Sequence, residues 1–340
     1  MNEQGLEHIL KTEDVRIDDK PTPRGAKVCL AISSFRNDKE IGEILRAVHA
    51  MPDKIFDGII VVDSLGTGAI PLLIAESGWS DVVYRSYNRN LGSAGNLFER
   101  LQAAADTDAD FVYALNHDGV IDADAVCRLT DCASRLDRIG AVYPLHYLPG
   151  RDQYDLTGKQ KLPLPFLGNE RLPATEYFDV HWGSSNGALY ALAPFRCGLH
   201  PWADLWLGWE DAGYGWLLGR HGYRQVVVTG ALFSDNYEYR QHELLGRKFY
   251  LPDKPFWYSY YNTRNMLLVA LRNKQSIGHF LVLFVRLTLE LGFIAAFKDR
   301  KMLRCKLLVR GVFDGLRNKG GKREYPRDPP AAAMPQLQPD

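Results

Sequence analysis

FVYALNHDGVID, Phe111 to Asp122, is the stretch from which the fold of this chain is read. Phe111 to Leu115 is a short apolar run of aromatic and branched residues, the pattern of a buried strand in a covered parallel sheet. Polarity then changes abruptly. Asn116, His117 and Asp118 fall where such a strand leaves the core, and Gly119 permits a tight turn that aims the Asp118 carboxylate into a crevice at the strand's carboxyl end. A hard divalent cation bridging two phosphates takes an oxygen ligand of this kind. The same carboxylate also suits the cap of a helix beginning near Asp122, and the stretch alone does not choose between these roles.

Working outward, strands alternate with helical segments. Val28 to Ser33 reads as a first buried strand, followed by a helix opened at Asn37 and carrying Ile41, Ile44, Leu45 and Val48 at helical spacing. Phe56 to Ser64 and Asp81 to Tyr87 read as the next two strands, the latter followed by the turn and helix NRNLGSAGNLFERLQAAAD, which ends near Asp106. Downstream come a helix at 124–135 and a strand at Gly140 to Leu145. This order predicts an α/β fold, a mostly parallel sheet flanked by helices, with its site at the carboxyl ends of the strands. Ser34, Asp63, Asn88 to Asn90 and Asp118 each sit just beyond a strand and are expected along one edge.

Residues 146–177 are rich in Pro and Gly and read as a functional loop or insertion. Regularity returns at YFDVHWGSSNGALYAL (Tyr177 to Leu192), expected as strand, small-residue turn and strand. LWLGWEDAGYGWLLGRHGY then opens a helix at Glu210 and Asp211, and RQVVVTG (Arg224 to Gly230) is a further strand. The expected division is a loose arm at 1–25, a catalytic domain at 26–250 with halves 26–145 and 146–250, a helical basic region at 251–323 and a disordered tail at 324–340.

Lys+Arg and Asp+Glu both total 41 among 340 residues, so no overall field argues for nucleic acid. The charge is unevenly placed: residues 298–323 hold ten Lys/Arg against Asp299 and Asp314. Before them, SIGHFLVLFVRLTLELGFIAAF (Ser276 to Phe297) is apolar apart from His279, Arg286 and Glu290, which fall within roughly 40° of one another on a helical wheel. That pattern predicts a helix lying in a bilayer surface or packed on the catalytic domain, with the basic run facing anionic headgroups. Five scattered cysteines without a CxxC pair read as buried thiols of a reducing compartment. The first 25 residues have no apolar signal core, so the expected location is cytoplasmic, peripheral on the inner face of the membrane.

Three sets of residues could carry chemistry. Asp63 stands where a nucleotide's base or ribose lies in a doubly wound sheet, although turn formation is an equal explanation; Arg89 and Asn90 could reach a phosphate or base. Glu210 and Asp211, flanked by Trp206, Trp209 and Trp216, suit a general base beside a sugar-binding aromatic surface, with favourable charge at a helix N-terminus the competing account. His242, with Asp235 and His221, offers further metal ligands.

Together these stretches resemble the inverting nucleotide-sugar glycosyltransferases of the GT-A fold, particularly the bacterial rhamnosyltransferase-like group of family 2. AISSFRND resembles the opening strand motif, VVDSLGTG and NRNLGSAGN the nucleotide-contacting segments, and LNHDG the DxD metal motif. WGSSNGALY is similar to the acceptor loop, GWEDAGYGWLLGRHGY to the helix bearing the base, and YYNTRNMLL to the C-terminal region. The resemblance implies a nucleotide site at Ser34, Phe35, Asp63, Arg89, Asn90 and Asn116, and Mg2+ or Mn2+ on Asp118 with His242. It implies Asp211 as base with Glu210 orienting the acceptor, and acceptor contacts from Trp182, Ser184, Asn186 and Trp209. The implied donor is a dTDP-, UDP- or GDP-sugar, and the implied acceptor a saccharide or glycolipid. Asn116 replaces the first acid of DxD and offers only a neutral oxygen. Sugar nucleotidyltransferases share a related sheet but carry a glycine-rich loop after the first strand, and AISSFRND has no glycine. A catalytically silent sugar-binding module is the non-enzyme alternative.

Overall fold

The computed structural model describes residues 25–148, 153–160, 171–234, 239–244, 247–252 and 254–324. The expected arm apart from Gly25, the expected tail apart from Glu324, and Asp235 lie outside the described residues.

The first half alternates as its periodicity dictates: β1 (Val28–Ser34), α1 (Asp38–His49), β2 (Gly58–Ser64), α2 (Ala69–Ser77), β3 (Val82–Tyr87), α3 (Gly92–Ala105), β4 (Phe111–Asn116), α4 (Ala123–Arg135) and β5 (Ile139–Leu148). β6 (Gln153–Tyr154), β7 (Tyr177–Asp179), β8 (Ala188–Ala191), α5 (Leu192–Arg196), α6 (Glu210–Arg220) and β9 (Arg224–Ser234) follow. A separate ribbon of β10 (Tyr239–Leu244) and β11 (Arg247–Pro252) leads to three helices, α7 (Tyr258–Arg272), α8 (Ile277–Phe297) and α9 (Lys301–Leu316).

Among the described residues the main sheet runs β3-β2-β1-β4-β8-β5-β9-β7, with β6 added to β5. β1 pairs in parallel with β2 and β4, and β5 with β9, while β8 runs antiparallel between β4 and β5. Successive side chains of β1 supply opposite faces. Leu30 and Ile32 join a core with Ile41, Leu45 and Leu129 from α1 and α4, whereas Cys29 and Ala31 join one with Leu97 and Leu101 from α3. Both faces are therefore covered, and that explains why these strands read as continuous apolar runs.

Two strands form at YFDVHWGSSNGALYAL, but they do not pair with each other. β7 joins β9, and β8 is drawn between β4 and β5, because the Gly183–Gly187 turn crosses the end of β4 and the Gly187 amide donates to the Ala114 carbonyl at 2.8 Å. Gly187 has φ +79°, and a Cβ there would meet the Phe233 ring at 2.7 Å. The cysteines also depart from expectation: Cys29 and Cys132 are buried, but Cys197 is exposed, since it closes the short surface helix α5.

The C-terminal helices are built into the site. Arg264 and Asn265 of α7 are fully buried, and both donate to the Leu205 carbonyl, at 2.7 and 2.9 Å. Asn265 Nδ2 also donates to the carbonyls of Leu207 and Gly208, each at 2.8 Å. One amide thus holds the loop that precedes α6. Asn265→Ala, which takes this donor from the Leu207 and Gly208 carbonyls while Arg264 still serves Leu205, is expected to cost about 2 kcal/mol, read as a lower urea midpoint with an unchanged m-value.

Candidate active site

The strand ends bring the predicted residues together. Ser34 is in register with Asp63, Ser33 with Asn116, and Asp63 with Ser86, so the ends of β1 to β4 form one polar edge. The helix after β4 is capped by Asp122, whose Oδ1 accepts from the amides of Asp124 and Ala125. Capping therefore does not occupy Asp118, which remains partly open to solvent. Gly119 is required beside it, because a Cβ there would lie 2.4 Å from Leu115 Cδ1 and 3.0 Å from Asn186 Oδ1.

The Gly183–Gly187 turn links the two acidic positions. Asn186 Nδ2 donates to Asp118 Oδ1 at 3.2 Å, and its Oδ1 accepts from the Asn116 amide at 2.9 Å. One residue earlier, the Ser185 amide donates to Asp211 Oδ1 at 3.2 Å. Consecutive residues of one turn therefore hold Asp118 and Asp211 on the same wall. Ser184 Oγ accepts from the Asn186 amide at 3.2 Å, which fixes the turn.

Asp211 and Glu210 open α6 from a constrained loop. Trp206 and Trp209 have φ of +62° and +69°, a conformation unfavourable for bulky residues. Three bonds from the NRNLGSAGN segment hold it: Ala94 N to Trp206 O, Trp206 Nε1 to Asn90 O and Gly208 N to Ser93 Oγ, at 3.1, 3.3 and 3.3 Å. Gly92 is needed for that approach, since a Cβ would lie 2.0 Å from Trp206 O. The glycine-rich segment thus packs on the loop that carries the acids. Trp209 Nε1 donates to Asn262 Oδ1 at 2.8 Å, and Trp182 Nε1 to Gln160 O at 3.3 Å.

Burial pushes Asp211 up to about 7, and the neighbouring Glu210 charge acts the same way; burial also raises Glu210, against its hydrogen bond with Ser93. The sequence reading overlooked Arg100. It is buried, its Nη1 donates to the Leu115 carbonyl at 3.1 Å, and its charge favours both ionised acids. The signal was available: an arginine three residues after Leu97, on the apolar face of α3 with Leu101 and Ala104.

Other predicted residues are placed differently. Asp63 is fully buried. Tyr84 OH donates to its Oδ2 at 2.7 Å, the Ser34 hydroxyl lies on its other side, and Gly66 closes over it so tightly that a Cβ would lie 2.1 Å from Oδ2. As folded, Asp63 presents no surface to a ligand. Ser34 is buried, whereas Phe35 and Arg89 are exposed, and Asn90 spends its Oδ1 on the Gly92 amide. His221 ends α6 at the opposite terminus from Asp211, with Nδ1 on the Leu217 carbonyl, so the helix length separates it from the site. His242 lies in β10, opposite Phe249, and its side chain is outside the described residues. Among the described residues no three His, Cys, Asp or Glu converge as a ready-made metal site. The donor set near Asp118 does fit a hard cation that takes one carboxylate from protein and its other oxygens from substrate phosphates: Asn186 is its one hydrogen-bond partner among the described residues.

No protein family's sequence pattern matches the chain, and no curated protein matches it in sequence. Solved structures do share its architecture. The mannosyltransferase PcManGT from Pyrobaculum calidifontis, in complex with GDP-Man and Mn2+, superposes with a TM-score of 0.52 at 14% identity, covering 93% of this chain and 94% of that one. TarS 1-349 from S. aureus gives 0.54 at 16% identity, covering 85% and 80%. Its complex with UDP-GlcNAc gives 0.53 at 15% identity, covering 86% and 81%. The fold is GT-A.

Asp211 binds a proton more tightly in the folded GT-A domain than in the unfolded chain, so its contribution to stability falls as pH rises from the unfolded carboxylate range, about 4, to about 7. Asp211→Asn should therefore raise the melting temperature at pH 8, with the gain shrinking toward pH 4.

Proposed function

We propose that this protein is an inverting glycosyltransferase that moves a hexosyl or deoxyhexosyl group from a nucleotide-diphosphate donor, a dTDP-, UDP- or GDP-sugar, to an acceptor hydroxyl. The observation that carries the reading is the pairing of Asp118 and Asp211 with consecutive residues of one turn. The reading also places it with the bacterial rhamnosyltransferase-like group of family 2, in polysaccharide or glycoconjugate synthesis on the cytoplasmic side. The complexes of the GT-A neighbours with GDP-Man and UDP-GlcNAc support a nucleotide-sugar donor.

Asp118 would hold Mg2+ or Mn2+, which when bound neutralises charge on the departing diphosphate. Asn116 adds little to that affinity, since its neutral Oδ1 already accepts from Ser33 Oγ at 3.1 Å. Phe35, Arg89 and Asn90 line the donor side; Ser34 is buried behind them, and Asp63 joins them only if the turn at Gly66 lifts. Asp211 takes the proton of the acceptor hydroxyl. A carboxylate near 7 is matched to that task at neutral pH, strong enough as a base yet largely ionised above it. The acceptor oxygen then bonds to the anomeric carbon on the face opposite the diphosphate, the bond to the diphosphate breaks and the configuration inverts. Glu210 and Ser93 fix the start of α6, while Trp182, Ser184, Asn186 and Trp209 shape the acceptor side.

The silent-module reading draws on Asn116, which leaves the metal motif one acid short. Calorimetry with Mn2+ and a panel of nucleoside diphosphates separates the two. The transferase reading requires metal-dependent binding that Asp118→Ala removes and Asp211→Asn leaves intact, with transfer lowered ~100-fold or more in Asp211→Asn. Nucleotide binding indifferent to metal would favour the module. The Arg100 cation favours the ionised acids, so Arg100→Met should move the acid limb of the pH dependence of kcat/KM to higher pH. An unmoved limb would place the base elsewhere.

A further inference from the structure

α8 is turned the wrong way round for a helix on a soluble protein. Its charged residues and its histidine face inward: the Arg286 guanidinium lies over the Trp209 ring at 5.5 Å, His279 packs edge-on to Trp216, and Glu290 lies in the field of Lys298, Arg286 and Arg304. Phe280, Leu283 and Leu287 pack beside them on Met266, Leu267 and Ala270 of α7. The outward face is apolar apart from Thr288, whose hydroxyl donates to the Phe284 carbonyl at 3.0 Å. Ile277, Leu281, Phe284, Val285 and Leu291 fall within an arc of roughly 120° at helical spacing, and Ile277 is 82% and Phe284 69% exposed. The helix is long and apolar enough to cross a membrane, with a mean hydropathy of 2.1 in its most apolar window. However, its inward face is seated on the domain through Leu283 and Ile294, which fits a helix lying along the surface.

α9, next in the chain, also exposes apolar residues. Met302, at 88% exposure, Val309 and Phe313 form an outward stripe, and exposed Lys306 and Arg317 sit on its flank. Residues 298–323 carry a formal excess of eight positive charges, ten Lys/Arg against two Asp. An apolar strip edged by cations on a surface helix complements a bilayer with anionic headgroups, whereas a second copy of the same face would set cation against cation.

We propose that the α8–α9 face docks in the plane of an anionic phospholipid bilayer.

Co-sedimentation with vesicles of phosphatidylcholine, with or without phosphatidylglycerol, tests the docking without reference to activity. The wild-type chain should bind the phosphatidylglycerol vesicles and release as salt rises. A double variant, Leu281→Glu with Phe284→Glu, alters only exposed positions and should bind at least tenfold more weakly, while its Mn2+-dependent nucleotide affinity stays at the wild-type value. Vesicle binding by a chain that shows no nucleotide binding would sustain the docking and remove the transferase reading. Wild-type protein that stays in the supernatant, or a double variant that partitions equally, would overturn the docking. So would sedimentation velocity showing a wild-type dimer that the double variant dissolves, with no vesicle binding.

Discussion

Two hydrogen bonds from neighbouring residues set the geometry on which the site depends. The Ser185 amide holds Asp211 and the Asn186 side chain holds Asp118, so the carboxylate at the end of β4 and the carboxylate at the start of α6 have a fixed separation. The turn can serve both only because β8 is inserted antiparallel between β4 and β5, which delivers Gly183–Gly187 across the strand ends. A regular parallel order would carry the chain away along a crossover helix.

The acids are held there against opposing costs. The loop before α6 keeps two tryptophans at positive φ, and desolvation acts against the charges of Glu210 and Asp211. Buried donors offset both: Asn265 and Arg264 from α7 hold the loop, and Arg100 from α3 supplies a positive field from below. Segments distant in sequence therefore converge on one helix start. Strain and desolvation are concentrated at a single acid pair, with its supports spread through the core, which fits the base role proposed for Asp211.

Much of this was legible in the sequence because it rests on local rules. The alternating strands and helices, the polar edge at the strand ends and the acids opening α6 follow from periodicity and turn chemistry. What escaped was tertiary. The LNHDGVID stretch could not say whether Asp118 or Asp122 capped α4, since both precede it at plausible spacing; only the amides of Asp124 and Ala125 decide. Asp63 was correctly placed at a strand end, but nothing local showed that Gly66 and Tyr84 would seal it. The polar stripe of α8 was visible, yet its direction was not, because a helical wheel gives the angle between residues and not which side meets the protein.

The account is tested most directly by locating the metal and the sugar in a crystal of the Asp211→Asn chain soaked with Mn2+ and its nucleotide-sugar. The anomalous signal of manganese should lie at bonding distance from the Asp118 carboxylate, with the anomeric carbon between it and residue 211. Manganese bound away from Asp118, or an anomeric carbon turned from residue 211, would contradict the single cleft that the turn at Ser185 and Asn186 defines.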